Sequence, residues 1–127
     1  MSKELDPKGM KIRQEMFGEE WVAQRHKDAT EFTRPFVEMV NNFVFGEIWS
    51  REGLDRKTRS MITLGMLTVM NRPHEMKIHL KGAISNGVTK AEIQEILLQG
   101  MLYGGFPAAF EGFRTCQEVL REMGLED

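Results

Sequence analysis

Apolar residues in this chain recur at steps of three and four. No stretch alternates with a period of two between turn residues, so the pattern predicts helices and no strands. Lys8 to Phe17 and Glu19 to Lys27 read as two short helices broken at Gly18. Their pattern is weak, with Ile12, Met16 and Phe17 offering only a narrow apolar face. Residues 1–27 are expected to form a helical arm across the rest of the fold or across a neighbour, a free arm being the alternative. From Asp28 to Phe45 the signal is stronger, because Phe32, Phe36, Val40 and Phe43 fall at steps of three and four beside Val37 and Val44. Pro35 lacks an N–H and crowds the preceding turn, so this helix is expected to begin near Arg34 rather than run kinked through the proline. Gly46 to Gly53 is expected to be an irregular crossing segment that carries Glu47 and Trp49.

Asp55 can cap a helix from Arg56 to about Met70. Its centre, Met61 to Met70, is apolar nearly all round, and such a helix has to be surrounded by protein. A chain this small cannot readily enclose one helix, so the stretch is a first sign of an oligomer. Gly65 is expected to let another helix approach closely. Pro73 suits the first turn of a helix ending near Asn86, with Gly87 as a left-handed cap. Thr89 and Glu92 form a capping box that opens a helix to Tyr103, with Ile93, Ile96, Leu97, Gly100 and Met101 on one side. After the Gly104-Gly105-Phe106 break, Pro107 starts a last helix lined by Ala109, Phe113, Cys116 and Leu120 and ending by Gly124. Short antiparallel connections imply an all-α bundle, one domain over residues 1–127.

Composition narrows the class. With 127 residues, 41% hydrophobic and 28% charged, the chain supports one globular core and is not disordered. A net charge of -2, from 17 basic and 19 acidic residues, provides no concentrated positive footprint for nucleic acid. It still allows a local basic pocket for a small anion. The one cysteine, Cys116, cannot close an intrachain disulfide, and with ten methionines it points to a reducing compartment. Met1 to Pro7 lacks the apolar core of a signal peptide, and no apolar run approaches the span of a bilayer. A cytoplasmic location is the expectation.

Several chemistries lack their signatures. Gly104-Gly105 has no phosphate-loop lysine, and His74 and His79, five apart, do not form an i,i+4 metal pair. No metal and no cofactor is expected. His79 carries the most information, since Met76, His79, Leu80, Ala83 and Ile84 share the inward side of their helix. It is either a core histidine with bonded nitrogens or a general acid or base, imidazole titrating closest to working pH. His74 is expected to be exposed. Glu75, four residues before His79, can fix the imidazole tautomer or pair on the surface with Lys81 or Arg72. Arg72 can clamp a carboxylate with its planar fork or stay solvated. Glu47, between Phe45 and Ile48-Trp49, is either an acid with a raised pKa or a helix-end carboxylate in water. Tyr103 can donate its hydroxyl into a pocket or pack. Cys116 falls on an apolar stripe and is expected to be buried, and Met61, Met66, Met70, Met76 and Met101 read as core or interface filler.

Larger motifs add a resemblance. The runs Gly53-Leu54-Asp55-Arg56-Lys57-Thr58-Arg59-Ser60, Lys77-Ile78-His79-Leu80-Lys81-Gly82-Ala83, Asn86-Gly87-Val88-Thr89 and Glu95-Ile96-Leu97-Leu98-Gln99 resemble the carboxymuconolactone decarboxylase family. Gly9-Met10-Lys11-Ile12-Arg13 and Phe45-Gly46-Glu47-Ile48-Trp49 extend the resemblance over about residues 9 to 123. It implies the alkylhydroperoxidase D-like helical bundle, assembled as a ring-shaped homohexamer, a trimer of dimers. It also implies cofactor-free decarboxylation of a small anionic lactone, 4-carboxymuconolactone, to 3-oxoadipate enol-lactone and carbon dioxide, in the protocatechuate branch of aromatic catabolism. On that basis His79 would be the acid/base, with Glu47 or Glu75 orienting it or relaying a proton. Arg72 or Arg59 would bind carboxylate, Tyr103 would donate, and Trp49, Phe106 and Phe110 would surround the substrate. Peroxidase relatives carry a Cys-x-x-Cys pair where this chain resembles them at Arg72 and Glu75, so disulfide-based peroxide reduction has no thiols here. The loop Tyr103-Gly104-Gly105-Phe106-Pro107-Ala108-Ala109-Phe110 departs from the decarboxylase pattern Tyr-Cys-Gly-Val-Pro-Ala-Ala-Asn, adding bulk and losing a polar group. Another departure is Arg72-Pro73-His74-Glu75 in place of Arg-Glu-Glu-Glu. Two alternatives stand beside this reading: a non-redox enzyme of the same fold acting on another lactone or small acid, and a non-catalytic assembly or ligand-binding protein.

Overall fold

The computed structural model describes residues 3–126, and every regular element among them is helical. The chain divides into two compact units, Met1–Asp55 and Arg56–Asp127. In the first, α1 (Pro7–Phe17) and α2 (Glu19–Lys27) are separated by Gly18, whose φ of 94° is open to glycine and strained for other residues. The Asp6 side chain caps α1 by accepting from the Lys8 N–H. Helix α3 (Arg34–Met39) begins where the proline rule placed it, with Pro35 in its first turn.

From Val40 the chain leaves α geometry. Val40–Ile48 forms nine residues of π-helix, and the wide bonding closes with the Trp49 N–H on the Val44 carbonyl at 2.9 Å. Two expectations are corrected. Helical turns run through Glu47 in place of an irregular segment from Gly46, and the face drawn through Phe32, Phe36 and Phe43 is exposed. Widening at Val40 shifts the register, so Phe45 and Trp49 turn inward, while Glu38 and Asn41 take inward positions ahead of them. Met16, Phe45 and Trp49 form the apolar core of this unit, with Ile12, Phe17, Val40 and Val44 packed on it. Phe45 stacks on Trp49 at 5.5 Å, and Phe17 meets Phe45 edge-on at 5.9 Å. Helix α1 therefore lies across Val40–Ile48.

A polar cluster shares that contact. Arg13 is buried and donates from Nη1 to Asn41 Oδ1 at 2.9 Å. The same nitrogen lies 2.7 Å from His26 Nε2. A guanidinium can only donate, so His26 must offer a neutral acceptor. Desolvation, and then the Arg13 charge, hold the His26 pKa below its ordinary value.

In the second unit α4 (Arg56–Met70) packs against α5 (Pro73–Ser85), α6 (Lys90–Gly104) and α7 (Phe106–Glu122). The expected punctuation is present: Gly87 has a φ of 94°, and both bonds of the Thr89–Glu92 capping box form. Leu64, Met76, Leu80, Ala83, Val88, Ile93, Leu97, Cys116, Val119 and Leu120 make one core. The close approach expected at Gly65 occurs elsewhere. A methyl group at Gly65 would meet Ile96 at an ordinary 3.9 Å, whereas at Gly100 it would lie 2.8 Å from Thr68. Within this chain the Met61–Met70 stretch is not surrounded, because Ile62, Met66, Val69 and Met70 are exposed. Phe113, expected on the buried stripe of α7, sits at its exposed edge.

Two outcomes are expected. The folded His26 pKa lies below 6.5, so the unfolded chain binds the proton first and stability falls as pH drops below that value. His26→Gln keeps an acceptor for Arg13 and should flatten the loss of thermal midpoint between neutral and mildly acidic buffer; an identical slope in both proteins would contradict this. Thr89→Ala should cost about 1 kcal/mol in chemical denaturation by removing the cap.

Candidate active site

Helix α5 carries two of the candidate residues, Glu75 and His79. Arg72 precedes it as an exposed N-cap without a side-chain capping bond, and Glu75 lies exposed in its first turn. Met76, Leu80 and Ala83 point into the core, which leaves His79 half-buried on the flank of that stripe and His74 exposed, as the spacing predicted. Asn86, seven residues after His79 and so on the same side of the helix, donates to Ser60 Oγ at 3.0 Å. That side of α5 therefore faces the first turns of α4, where Arg59 is half-buried. Burial pushes the His79 pKa down, and the Glu75 charge one turn away raises it by less. The net result is an imidazole that is neutral at neutral pH and has a carboxylate neighbour. Such a pair can hold one tautomer, donate an N–H, or pass a proton.

The remaining candidates in this unit fall in separate places. Arg72 borders a narrow crevice with Met76, Glu111 and Thr115. Tyr103, 79% exposed, lines an apolar groove of about 870 Å³ between α4 and α6 with Met66, Val69 and Ile96. Phe110 lines a different hollow of about 970 Å³ between α6 and α7, and Phe106 is exposed at the start of α7. Cys116 is buried and its thiol is pushed up to about 12, which keeps it protonated and unreactive.

In the first unit Glu47 and Trp49 point to different places. Trp49 is buried against Phe45. Glu47 is exposed and lines a hollow with Lys3, Arg34, Glu38, Asn42 and Phe43, so its surroundings are mixed charged and apolar rather than an apolar wall. The buried polar residues Arg13, Glu38 and Asn41 were missed by pattern reading. Periodicity scores apolar positions, and only the Asn41-Asn42 pair inside a Phe and Val run hinted at them. Among the described residues no group of three or more His, Cys, Asp or Glu gathers to hold a metal. No described helix is long and apolar enough to cross a membrane.

Titration of His79 by NMR should give a pKa below 6.5, and Glu75→Gln should lower it further, because the raising charge is lost. A value that rises in this variant would exclude the electrostatic link between the two side chains.

Residues 34–118 match the carboxymuconolactone decarboxylase family. The chain is 36% identical over 117 residues to a 4-carboxymuconolactone decarboxylase of Acinetobacter baylyi, covering 92% of this chain and 87% of that protein. It is 37% identical over 123 residues to a nitrosuccinic acid decarboxylase of Metarhizium robertsii, covering 97% of this chain and 86% of that one. Helix α5 with His79 and the capped helix α6 both lie inside the matched segment, and two relatives named as decarboxylases extend the likeness to nearly the full length. The chain belongs to the carboxymuconolactone decarboxylase family.

Proposed function

We propose that this protein decarboxylates 4-carboxymuconolactone to 3-oxoadipate enol-lactone and carbon dioxide without a cofactor, in the protocatechuate branch of aromatic catabolism. The observation that carries the reading is His79, half-buried, kept neutral by burial and coupled to Glu75. The likeness to the Acinetobacter baylyi enzyme supports the choice of substrate. Loss of carbon dioxide breaks the bond to the carboxylate and leaves an electron pair that delocalises into the unsaturated lactone carbonyl. The His79 N–H stabilises the developing enolate oxygen and relays a solvent proton to carbon, while Glu75 orients the ring. Arg72 or Arg59 clamps the second carboxylate, and Tyr103 is a further donor. Glu47 is the alternative to Glu75 as the carboxylate that orients the ring or relays the proton. Phe106 and Phe110, exposed in the single chain, supply poorly solvated surroundings, in which a carboxylate loses its charge more readily, where a neighbouring copy covers them. Trp49 has less claim to touch substrate, since its ring is buried against Phe45.

Exposed apolar side chains on α4 and α6 support self-association, for which we propose a homohexamer, a trimer of dimers, working in the cytoplasm. A second substrate reading draws on the Metarhizium robertsii relative and on the bulk of Phe106 and Phe110. Nitrosuccinic acid makes the same demand, because a nitro group beside the leaving carboxylate accepts the electron pair.

Purified protein should consume the lactone chromophore, and His79→Asn should lower kcat by about 10² to 10⁴-fold. Full turnover by that variant would sink the assignment. Turnover of nitrosuccinic acid with none of the lactone would select the second substrate. A folded oligomer inert toward both would favour a ligand-binding or assembly role.

A further inference from the structure

The widened helix at Val40–Ile48 does something to Glu47 that chain position alone does not reveal. In an α-helix Asn42 stacks with Gly46, four residues on, and Glu47 turns away by roughly 100°. With i→i+5 bonding the turn is wider, and Glu47 comes back to the side of the helix that carries Asn42. The two side chains line one hollow together with Glu38 from the preceding turn. The same widening sends Phe45 and Trp49 into the apolar core.

A π turn is rare and needs support from its surroundings. Here α1 and the segment before it provide that support. Gly9 sits so close over the wide turn that a methyl group there would lie 2.0 Å from the Asn41 carbonyl oxygen and 3.0 Å from the Gly46 nitrogen. Asn41 is completely buried; its Oδ1 accepts from Arg13 at 2.9 Å and its Nδ2 donates to the Asp6 carbonyl at 3.1 Å. Asn42 Oδ1 accepts from the Asp6 N–H at 2.8 Å. Buried amide and guanidinium groups tolerate few arrangements that leave them bonded, so this network selects one register for the segment that presents them. We infer that Arg13 and Asn41 are positioning residues, which hold the π register and thereby turn Glu47 into the hollow beside Glu38 and Asn42. The functional consequence rests on the proton-relaying role proposed for Glu47.

The test is a double-mutant cycle in the full-length chain. Asn41→Ala and Glu47→Gln are each expected to lower kcat by about tenfold or more, and the pair to lose no more than the worse single variant, because one acts through the other. Multiplying losses would overturn the inference. Asn41→Asp keeps an acceptor for Arg13 and should recover at least half of the kcat lost in Asn41→Ala; no recovery would count against the Arg13 contact. If Glu47→Gln retains full activity, the relay role fails, and the positioning claim is then decided without catalysis. For that, the thiol introduced by Glu47→Cys is labelled with Ellman's reagent, Cys116 being buried and slow to react. Adding Asn41→Ala should change the labelling rate at position 47 at least threefold. An unchanged rate would overturn the positioning role whatever the activity of Glu47→Gln.

Discussion

Three helices of the second unit meet on the side chain of Thr68. It is buried on α4, returns its hydroxyl to the Leu64 carbonyl at 2.8 Å, and presents its methyl group to α6 and α7. A methyl at Gly100 would stand 2.8 Å from it and one at Gly112 would stand 3.6 Å away, so α6 approaches at a distance only glycine permits. Interiors pack to nearly crystalline density, and a separation set at one layer carries into the next. Helix α5 packs on both α4 and α7 and commits Met76, Leu80 and Ala83 to the core. His79 then has only the flank of the stripe available, part withdrawn from water, and its depressed pKa follows from that placement.

The first unit is organised by a different constraint. Its apolar core is small, and the contact between α1 and the π-helical segment also encloses Arg13 and Asn41, with His26 of α2 at the edge. Buried polar groups are costly unless bonded, and here each is supplied with a partner of fitting role: a donor-only guanidinium, an amide oxygen and a neutral imidazole nitrogen. Such a network discriminates between registers more sharply than a few apolar contacts can. It also accounts for the weakness of the apolar pattern in residues 8–27, since a helix held partly by polar bonds needs fewer apolar positions.

Neither unit buries all its apolar side chains. In the first unit Phe36 and Phe43 are exposed, and in the second Met66 and Met70 on α4, Leu102 on α6, and Phe106 and Phe110 on α7 are exposed. The nearly apolar centre of α4 remains informative even though the chain itself does not enclose it. The first turns of α7, Phe106 to Phe110, are also where the chain departs from the decarboxylase pattern.

Much of this fold was legible because its signals are local. Gly18, Gly87 and the Thr89–Glu92 box end or begin helices through backbone chemistry that acts within a few residues, and the structure places each as read. His79 was legible as a residue beside a buried stripe, since helical spacing reports sidedness. Spacing could not say that Val40–Ile48 would widen, because a π register is chosen by what packs on it, here Gly9, Arg13 and Asp6 from a distant part of the chain. Nor could it place Tyr103, Arg72 and Phe110 in separate hollows, or move the close helix approach from Gly65 to Gly100. The sequence by itself determined which segments are helical, where they stop and which residue types are present for proton transfer. Tertiary structure alone decided how those segments face one another, because facing depends on steric fit and on bonded polar groups between residues far apart in the chain.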